Sequence, residues 1–338
     1  MKDSRVYVIA EIGVNHNGSV ELAKEMILAA KKAGADAAKF QTFQATKVAS
    51  DRAPKAEYQR VTTDVAESQV DMLRRLELSA DDHAILVETC REVGVDFLST
   101  PFDRGSVDLL EQLQVPLYKV GSGDVTNIPL LNYVARKHKP IILSTGMSTL
   151  SEVALAVEAI QLHNPGSLTL LHCVSQYPAP IDDVNLRAML SMREAFQLPV
   201  GYSDHTVGTD VSVAAVALGA SIIEKHFTLD RSLPGPDQAS SLNPEEFAQL
   251  VHSIRQVSLA LGDGVKRPAR SELVMREVAR RSLVASRDLT AGQVLTEDDI
   301  DVKRPGTGIS PADLEKVVGL QIRGDIKKDD VLTWSMFC

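Results

Sequence analysis

The sequence predicts an α/β protein in which a (β/α)8 TIM barrel is followed by a small C-terminal domain. Eight short apolar runs alternate with segments of helical periodicity over residues 1–264. Most of these runs begin apolar and end in polar side chains. An open doubly wound sheet is the main alternative, but no GxGxxG motif follows the first run and no Walker A loop is present. These observations favour the closed barrel.

The eight predicted strands are the apolar runs themselves. They are residues 6–13, 36–43, 95–102, 117–124, 140–147, 168–178, 199–206 and 221–230. Several of the intervening helical segments begin at a Ser, Asn or Asp that is suited to an N-cap position. Gly34, Gly94 and Gly219 lie where left-handed C-caps would end three of the helices.

A change of character near residue 265 predicts a domain boundary. Residues 1–264 form the predicted barrel, residues 265–281 a charged linker, and residues 282–338 a domain of short strands and turns. The long connection at residues 44–80 follows the second strand. An insertion of this size on a barrel is either a lid over the active site or a surface excursion.

Composition excludes several classes of protein. The chain has 338 residues, of which 44% are hydrophobic and 24% charged, with a formal net charge of -9. No block of Lys and Arg overrides that charge, so we expect no nucleic-acid or anionic-membrane partner. No apolar run reaches the roughly 18 residues that a membrane helix requires. The three scattered cysteines and the lack of a signal-peptide pattern predict a reduced, cytoplasmic protein.

Polar side chains close nearly every predicted strand. Residues two apart on a strand face the same way, and the carboxyl ends of barrel strands carry catalytic groups. We therefore expect one concave face to carry Glu11, Lys39, Gln41, Thr100, Lys119, Ser122, Asp124, Ser144, Ser175, Tyr177, Ser203, His205, Glu224 and His226. A purely structural strand would gain nothing from burying charge there.

Two pairs within this set predict chemistry. His205 and His226 each end a strand, and paired imidazoles suit a divalent first-row metal, although a lone strand-end histidine is more often a core residue. Lys39 and Lys119, with nearby hydroxyls and glycine-rich turns, predict a site for a phosphate and a carboxylate. The structural alternative is that the two lysines only pair with Glu11 and Asp124.

The remaining histidines are expected to be structural or solvated. His16, His83, His138, His163 and His252 fall in loops or on helix faces, and we expect solvated rings, with His16 near the barrel mouth. His172 is expected to make a hydrogen bond in the core.

Ordered motifs along the whole chain resemble those of the sialic acid (N-acetylneuraminate) synthase family. They include "AEIGVNHNG", "KFQTF", "LSTPFD", "YKVGSGD", "ILSTGM", "GYSDHT", "EKHFTLD" and "PGPD". The stretch around "VKRPGTGI" is similar to the small antifreeze-like (SAF) domain of that family. Within the family, "APKAEYQ", "ESQVDMLRRLELS" and "NLRAM" are most similar to the N,N′-diacetyllegionaminate synthase branch.

The resemblance implies a metal-dependent condensation of phosphoenolpyruvate with a 2-acetamido-mannose-type sugar, with release of phosphate. It implies 2,4-diacetamido-2,4,6-trideoxymannose as the favoured sugar, with N-acetylmannosamine as the alternative. It also implies Mn²⁺ as the cofactor, with Mg²⁺ or Co²⁺ as alternatives, and a homodimer that swaps the small domain.

The resemblance also implies a role for each matching residue. Phosphoenolpyruvate would be bound by Lys39, Thr100, Lys119, Ser122, Ser144 and Ser203; the metal by His205 and His226; and the sugar by Gln41, Tyr177, Asp237 and Arg304, the last from the neighbouring subunit. Glu11, Asp124 and Tyr177 would be catalytic, with Glu11 or Asp124 assisting the attack of water.

Two positions depart from the family pattern. Asp124 replaces the more common Glu of "GSGE", and Ser175-Gln176 stands where relatives carry an Asn, so either residue could contact ligand. Two other functions stay open on the residues alone. One is an aldolase that uses Lys39 or Lys119 as a Schiff base, and the other is a non-catalytic sugar-binding protein.

Overall fold

A computed structural model describes residues 5–64 and 67–338. The chain forms two compact units, Met1–Gly262 and Asp263–Cys338. All eight predicted barrel strands are present in the first unit, each within the predicted range. They are β1 (Tyr7–Gly13), β2 (Ala37–Thr42), β3 (Asp96–Pro101), β4 (Tyr118–Val120), β5 (Ile141–Ser144), β6 (Leu168–His172), β7 (Val200–Asp204) and β8 (Ile222–His226).

Helices occupy most of the connections between these strands. In the first unit they are α1 (Val20–Lys32), α2 (Ala45–Val48), α3 (Glu57–Thr62), α4 (Gln69–Leu76), α5 (Ala80–Val93), α6 (Arg104–Gln112), α7 (Ile128–Ala135), α8 (Leu150–Gln161), α9 (Arg187–Phe196), α10 (Asp210–Ala217) and α11 (Pro244–Leu261). Ser19, Asp103 and Thr149 are among the side chains that accept an N-cap hydrogen bond from the helix they precede.

The eight strands form one parallel sheet in the order β3-β2-β1-β8-β7-β6-β5-β4. The two end strands, β3 and β4, also lie against each other, so the sheet curls into a barrel. The predicted (β/α)8 fold is therefore confirmed.

The barrel interior is a small apolar cluster distinct from the larger core between barrel and helices. It contains Ile9, Ala37, Leu98, Ile142, Leu171 and Ile222, with Tyr7 and Leu117 packed against it. Side chains alternate across a strand, so the residue two positions after each of these points into the barrel as well, one layer closer to the carboxyl ends. This layer is where the polar residues lie.

The 44–80 connection folds into the short helices α2, α3 and α4. Ser68 caps α4 by accepting a hydrogen bond from the backbone N–H of Asp71. Val70, Met72 and Leu76 are the buried residues of this amphipathic helix.

The second unit has its own hydrophobic core, which includes Leu283, Leu295, Ile322 and Phe337. Its strands β9 (Ser282–Ala285) and β10 (Ile300–Lys303) pair antiparallel. Residues 265–281, predicted as a linker, belong to this unit and contain the helix α12 (Leu273–Ala279); a last short helix, α13, spans Leu314–Val317. Across the described ranges, 5–64 and 67–338, no helix combines the length and apolar character needed to cross a bilayer.

Candidate active site at the carboxyl ends of the barrel strands

A cavity of about 340 Å³ opens at the carboxyl ends of the barrel strands. Of the residues assigned a role from the sequence, those that line it are Glu11, Lys39, Gln41, Thr100, Lys119, Ser122, Ser144, Tyr177, Ser203, His205, His226 and Asp237. Residues from the strand ends, the loops that follow them and the 44–80 insertion thus meet in one place. The convergence predicted from the strand ends is present.

The position of these side chains follows from the two-residue repeat of the strands. Ile9, Leu117 and Ile222 belong to the apolar interior, and Glu11, Lys119 and Glu224 follow each of them two residues later. Strand register then brings neighbours to the same level, since Glu11 pairs with Lys39 on one side and with His226 on the other. Each polar residue therefore rests directly on the packed interior.

Two lysines and two glutamates form a buried charged floor. Lys39 Nζ lies 2.6 Å from Glu11 Oε2 and 3.8 Å from Glu224 Oε2. Lys119 Nζ lies 3.5 Å from Glu224 Oε1 and so pairs with this residue. Asp124, named as a pairing partner in the structural alternative, has no salt bridge among the described residues. All four floor side chains are less than a tenth exposed.

Hydroxyl groups surround the two ammonium groups. Lys39 Nζ donates to Thr100 Oγ1 at 3.2 Å, and Lys119 Nζ donates to Ser144 Oγ at 2.7 Å. Ser203 Oγ donates to Glu224 Oε1 at 2.9 Å. Buried ammonium and hydroxyl donors at this spacing can bind a ligand that carries more than one anionic group.

The two glutamates of the floor differ in protonation. Burial raises the pKa of Glu11 to about 7, against the opposing attraction of Lys39. Burial also disfavours the charged form of Glu224, but Lys119 and Lys39 outweigh it and hold its pKa at about 2. Glu224 thus favours its anionic form more strongly than Glu11, which can accept a proton near neutral pH.

The rings of His205 and His226 are in edge-type contact, with their centroids 5.6 Å apart and their planes inclined by 61°. His205 Nδ1 donates to the carbonyl of Val174 at 2.6 Å, which leaves the lone pair on its Nε2. Tyr177 packs against both rings, with centroid distances of 4.2 Å and 5.4 Å. The sequence hypothesis of two imidazoles at one mouth of the barrel therefore agrees with the geometry.

The surroundings of both imidazoles favour their neutral forms. Burial lowers the pKa of His205, and burial together with His205 lowers that of His226 well below its usual range. His226 Nδ1 is buried without a hydrogen-bond partner among the described residues and lies 3.9 Å from Asp237 Oδ2. Burial raises the pKa of Asp237 to about 6.

This donor set fits a divalent metal. A neutral imidazole is the form that binds metal, and a buried ring nitrogen without a hydrogen-bond partner is available as a metal ligand. Within residues 5–64 and 67–338, no group of three or more His, Cys, Asp and Glu side chains has the geometry of a metal site. His205 and His226 would thus leave further coordination positions to water or substrate oxygens.

Two of the predicted site residues, Asp124 and Arg304, are absent from the described residues that line the cavity. Asp124 Oδ1 instead accepts a hydrogen bond from Asn127 Nδ2 at 2.8 Å, which turns this shorter carboxylate toward the following loop. Arg304 lies exposed after β10 in the second unit, and its contact with sugar stays a prediction. Of Ser175 and Gln176, Ser175 is the one that lines the cavity, and which of the two contacts ligand stays a prediction.

Two histidines that were expected to be solvated are buried, so that expectation was wrong. His16 accepts a hydrogen bond from the backbone N–H of Gly18 at 3.0 Å, and its pKa falls to about 4 through burial. His83 lies on the inner face of α5, with its ring 2.8 Å from Thr42 Oγ1. His172, expected in a core hydrogen bond, donates from Nε2 to the carbonyl of Val184 at 2.7 Å.

Sequence reasoning placed Glu224 in the ring of strand ends but gave it no role. Its position between Ile222 and His226 was the available signal, because the two-residue repeat places all three on one face. The sequence analysis also did not predict that apolar residues of the 44–80 insertion, such as Met72 and Leu76, would line the cavity. Their position depends on how the insertion folds back, which no local pattern records.

Comparison with known proteins supports the resemblance read from the motifs. The model of the NeuB family matches residues 26–266, and that of the SAF domain matches residues 280–337. The chain belongs to the NeuB family. The predicted small domain is therefore confirmed as a SAF domain.

Individual relatives agree with this assignment. The chain is 46% identical to the N,N'-diacetyllegionaminic acid synthase of Legionella pneumophila, over 97% of this chain and 93% of that protein. It is 45% identical to the protein of the same name from Campylobacter jejuni, over 97% and 99% of the two chains. A crystal structure of N-acetylneuraminic acid (sialic acid) synthetase from Leptospira borgpetersenii is 35% identical with a TM-score of 0.71, over 80% of this chain and 90% of that chain.

Proposed function

We propose that this NeuB-family chain is a nonulosonic acid synthase. It condenses phosphoenolpyruvate with 2,4-diacetamido-2,4,6-trideoxymannose to give N,N′-diacetyllegionaminate and phosphate. The observation that carries the proposal is that Lys39, Lys119, His205 and His226 line one cavity, in a chain 46% identical to a synthase of that product.

Phosphoenolpyruvate fits the charged floor. Lys39 and Lys119 supply two buried ammonium groups for its phosphate and carboxylate, and Thr100, Ser144 and Ser203 supply hydroxyl donors. Ser122 completes this set at the cavity wall, where its Oγ accepts a hydrogen bond from the backbone N–H of Gly146 at 2.9 Å. Charge-assisted donors on several strands hold such a ligand in one orientation.

His205 and His226 would hold the divalent cation, with Mn²⁺ expected and Mg²⁺ or Co²⁺ as alternatives. When bound, a cation at this place supplies Lewis acidity to the carbonyl oxygen of the sugar. Burial favours the neutral form of both rings, and the Val174 carbonyl fixes the tautomer of His205, so the protein presents lone pairs without first losing protons.

The reaction joins C3 of phosphoenolpyruvate to the aldehyde carbon of the sugar. The aldehyde oxygen takes up one proton and becomes a hydroxyl, while water adds to C2 and loses one proton. The bond between C2 and the phosphate oxygen then breaks, and the remaining proton of the added hydroxyl is lost, which leaves a 2-keto acid and inorganic phosphate. In this proposal Glu11 accepts the proton of this water, and its raised pKa, which makes it a base near neutral pH, supports that role. Glu224 lies within salt-bridge distance of Lys39 and Lys119, and its charge opposes the burial that lowers the pKa of Lys119.

The test is turnover. Purified protein with phosphoenolpyruvate, Mn²⁺ and the diacetamido sugar should release phosphate and form the nine-carbon acid, as followed by mass spectrometry. The variants His205→Ala and Lys119→Met should lose this activity. Trapping of a borohydride-stable adduct between pyruvate and a lysine, without phosphate release, would establish the aldolase alternative in its place.

A second candidate is an N-acetylneuraminate synthase that uses N-acetylmannosamine. It is supported by the 35% identity to the sialic acid synthetase of Leptospira borgpetersenii. Parallel assays with the two sugars decide between the candidates through their kcat/KM values.

Assembly and location remain proposals as well. We propose a homodimer in which Arg304 of the second unit contributes to the sugar site of the neighbouring subunit, in a cytoplasmic protein. Light scattering at the concentration used in the assays measures the oligomeric state. Mixing a His205→Ala protein with an Arg304→Ala protein should restore activity only if one intact site can form across two subunits.

A further inference from the structure

The lining of the cavity is divided into a polar and an apolar side. The polar side is the strand-end floor. The apolar side is an apolar wall of five residues, which we define as Val14, Met72, Leu73, Leu76 and Phe102. All five also belong to one hydrophobic cluster, so the wall is a continuous surface.

The insertion contributes the larger part of this wall. Met72, Leu73 and Leu76 all lie on α4, and Met72 and Leu76 are 1% and 7% exposed. Phe102 follows β3 and is braced edge-to-face by Phe43, with ring centroids 6.0 Å apart. Packing thus fixes the wall, and its side chains offer no N–H or O–H donor and no oxygen acceptor to a ligand.

The direction of the sugar in the cavity follows from the chemistry of the floor. Its aldehyde carbon must meet phosphoenolpyruvate beside His205 and His226, on the polar side. The opposite end of the open chain, which carries C6, then extends away from the strand ends. The apolar wall belongs to the part of the lining outside the floor and the two imidazoles, as do Gln59 from the same insertion and Pro236.

We infer that the apolar wall selects sugars that carry a methyl group at C6 over sugars that carry a hydroxymethyl group there. This inference rests on the proposed function and names the feature of the sugar that the site reads. A methyl group against Met72, Leu73 and Phe102 leaves water for an apolar surface. A hydroxyl in the same place would lose its water and find no partner on the wall.

The expected preference is moderate. An apolar pocket distinguishes a substrate from an analogue with one more hydroxyl by about 10- to 100-fold in kcat/KM. The cleanest comparison uses N-acetylmannosamine and its 6-deoxy analogue, because the two sugars differ by a single oxygen atom. Phosphate released from phosphoenolpyruvate measures both.

A variant locates the preference on the wall. Leu73 is half-buried, so Leu73→Gln introduces a hydrogen-bonding group at the cavity with little risk to folding. It should reduce the preference for the 6-deoxy sugar by about tenfold, with the KM for phosphoenolpyruvate unchanged. Phe102→Tyr is a second such variant. Leu155→Gln, at a 60% exposed position on α8, is the matched control and should keep the wild-type ratio.

The outcomes separate the inference from the proposed function. Equal kcat/KM values for the two sugars, or a ratio that Leu73→Gln and Phe102→Tyr leave unchanged, would overturn the inference alone. An absence of phosphate release with these sugars and with the diacetamido sugar would overturn the proposed function and the inference with it. A loss of activity that is equal for both sugars in Leu73→Gln would show a structural role for the wall and reject selection.

Discussion

The ammonium group of Lys225 lies 3.0 Å from the carboxylate of Asp204, and neither side chain is exposed. The two residues are paired in register across β7 and β8. Lys225 also donates to the carbonyl of Thr206, and Asp204 accepts hydrogen bonds from Thr206 and Ser212. Because each member of the pair directly precedes a site histidine, this buried network fixes the strand ends from which both imidazoles project.

Removal of one charge from this pair should be costly. Asp204→Asn leaves the Lys225 ammonium buried without its counter-ion, and we expect a loss of about 3–5 kcal/mol in the free energy of unfolding. Urea denaturation measures it. The exposed pair between Glu88 and Arg91 is the control, since Glu88→Gln should cost less than about 1 kcal/mol. Similar losses in the two variants would contradict the prediction.

The dependence of activity on pH should follow the ionisation of the Glu11 carboxyl. Its pKa of about 7 means that the carboxyl is protonated below neutral pH and cannot accept the proton of water, so activity should rise as pH increases through about 7. Glu11→Gln should lower kcat by about 100- to 10,000-fold and abolish this limb of the profile. To test this pH dependence, kcat/KM is measured for both proteins between about pH 5.5 and 8.5, which is the range around neutrality in which such a group titrates. An unchanged limb in the variant would assign it to another group.

Metal removal should abolish activity, and added Mn²⁺ should restore it. His226→Ala should fail to bind Mn²⁺, as measured by electron paramagnetic resonance of the protein-bound ion, because one of two imidazole ligands is missing. His252→Ala is the control, since His252 lies exposed on α11. Full turnover by thoroughly metal-stripped wild-type protein would reject the role assigned to the two imidazoles.

A side chain at Gly146 should disturb the cavity wall beside it. A Cβ atom at this position would lie 2.3 Å from Ser175 Oγ and 3.0 Å from Ser122 Oγ, and the backbone N–H of Gly146 donates to that same Ser122 Oγ. Gly146→Ala should therefore displace Ser122 and raise the KM for phosphoenolpyruvate about tenfold or more. Gly324→Ala, where a Cβ meets nothing within 4 Å, should leave KM unchanged. Equal KM values for all three proteins would remove Ser122 from the phosphoenolpyruvate site.

The sequence was sufficient for features that follow from local periodicity. The barrel and the convergence of Lys39, Lys119, His205 and His226 could be predicted, because a two-residue repeat places each side chain and parallel strands place all their ends together. The resemblance to the family added roles that no spacing rule supplies.

Features that depend on tertiary packing could not be predicted. Asp124 was assigned to the site by its strand-end position, but a short carboxylate beside Asn127 pairs locally instead. His83 lies on a helix face whose burial depends on what packs against it. The apolar wall depends on where α4 folds, which is a long-range property of the 44–80 insertion.

The spacing between the apolar interior and the floor determines which changes of sequence the barrel can tolerate. Along each strand, two residues, or about 7 Å, separate the apolar interior from the layer of polar residues above it. Substitutions at Ser144 or Gln41 therefore change the lining of the cavity and leave the residues of the apolar interior in place. Insertion of one residue into β2 between Ala37 and Lys39, by contrast, would rotate Lys39 outward and Phe40 out of the main core, and would so disrupt the floor and the packing together.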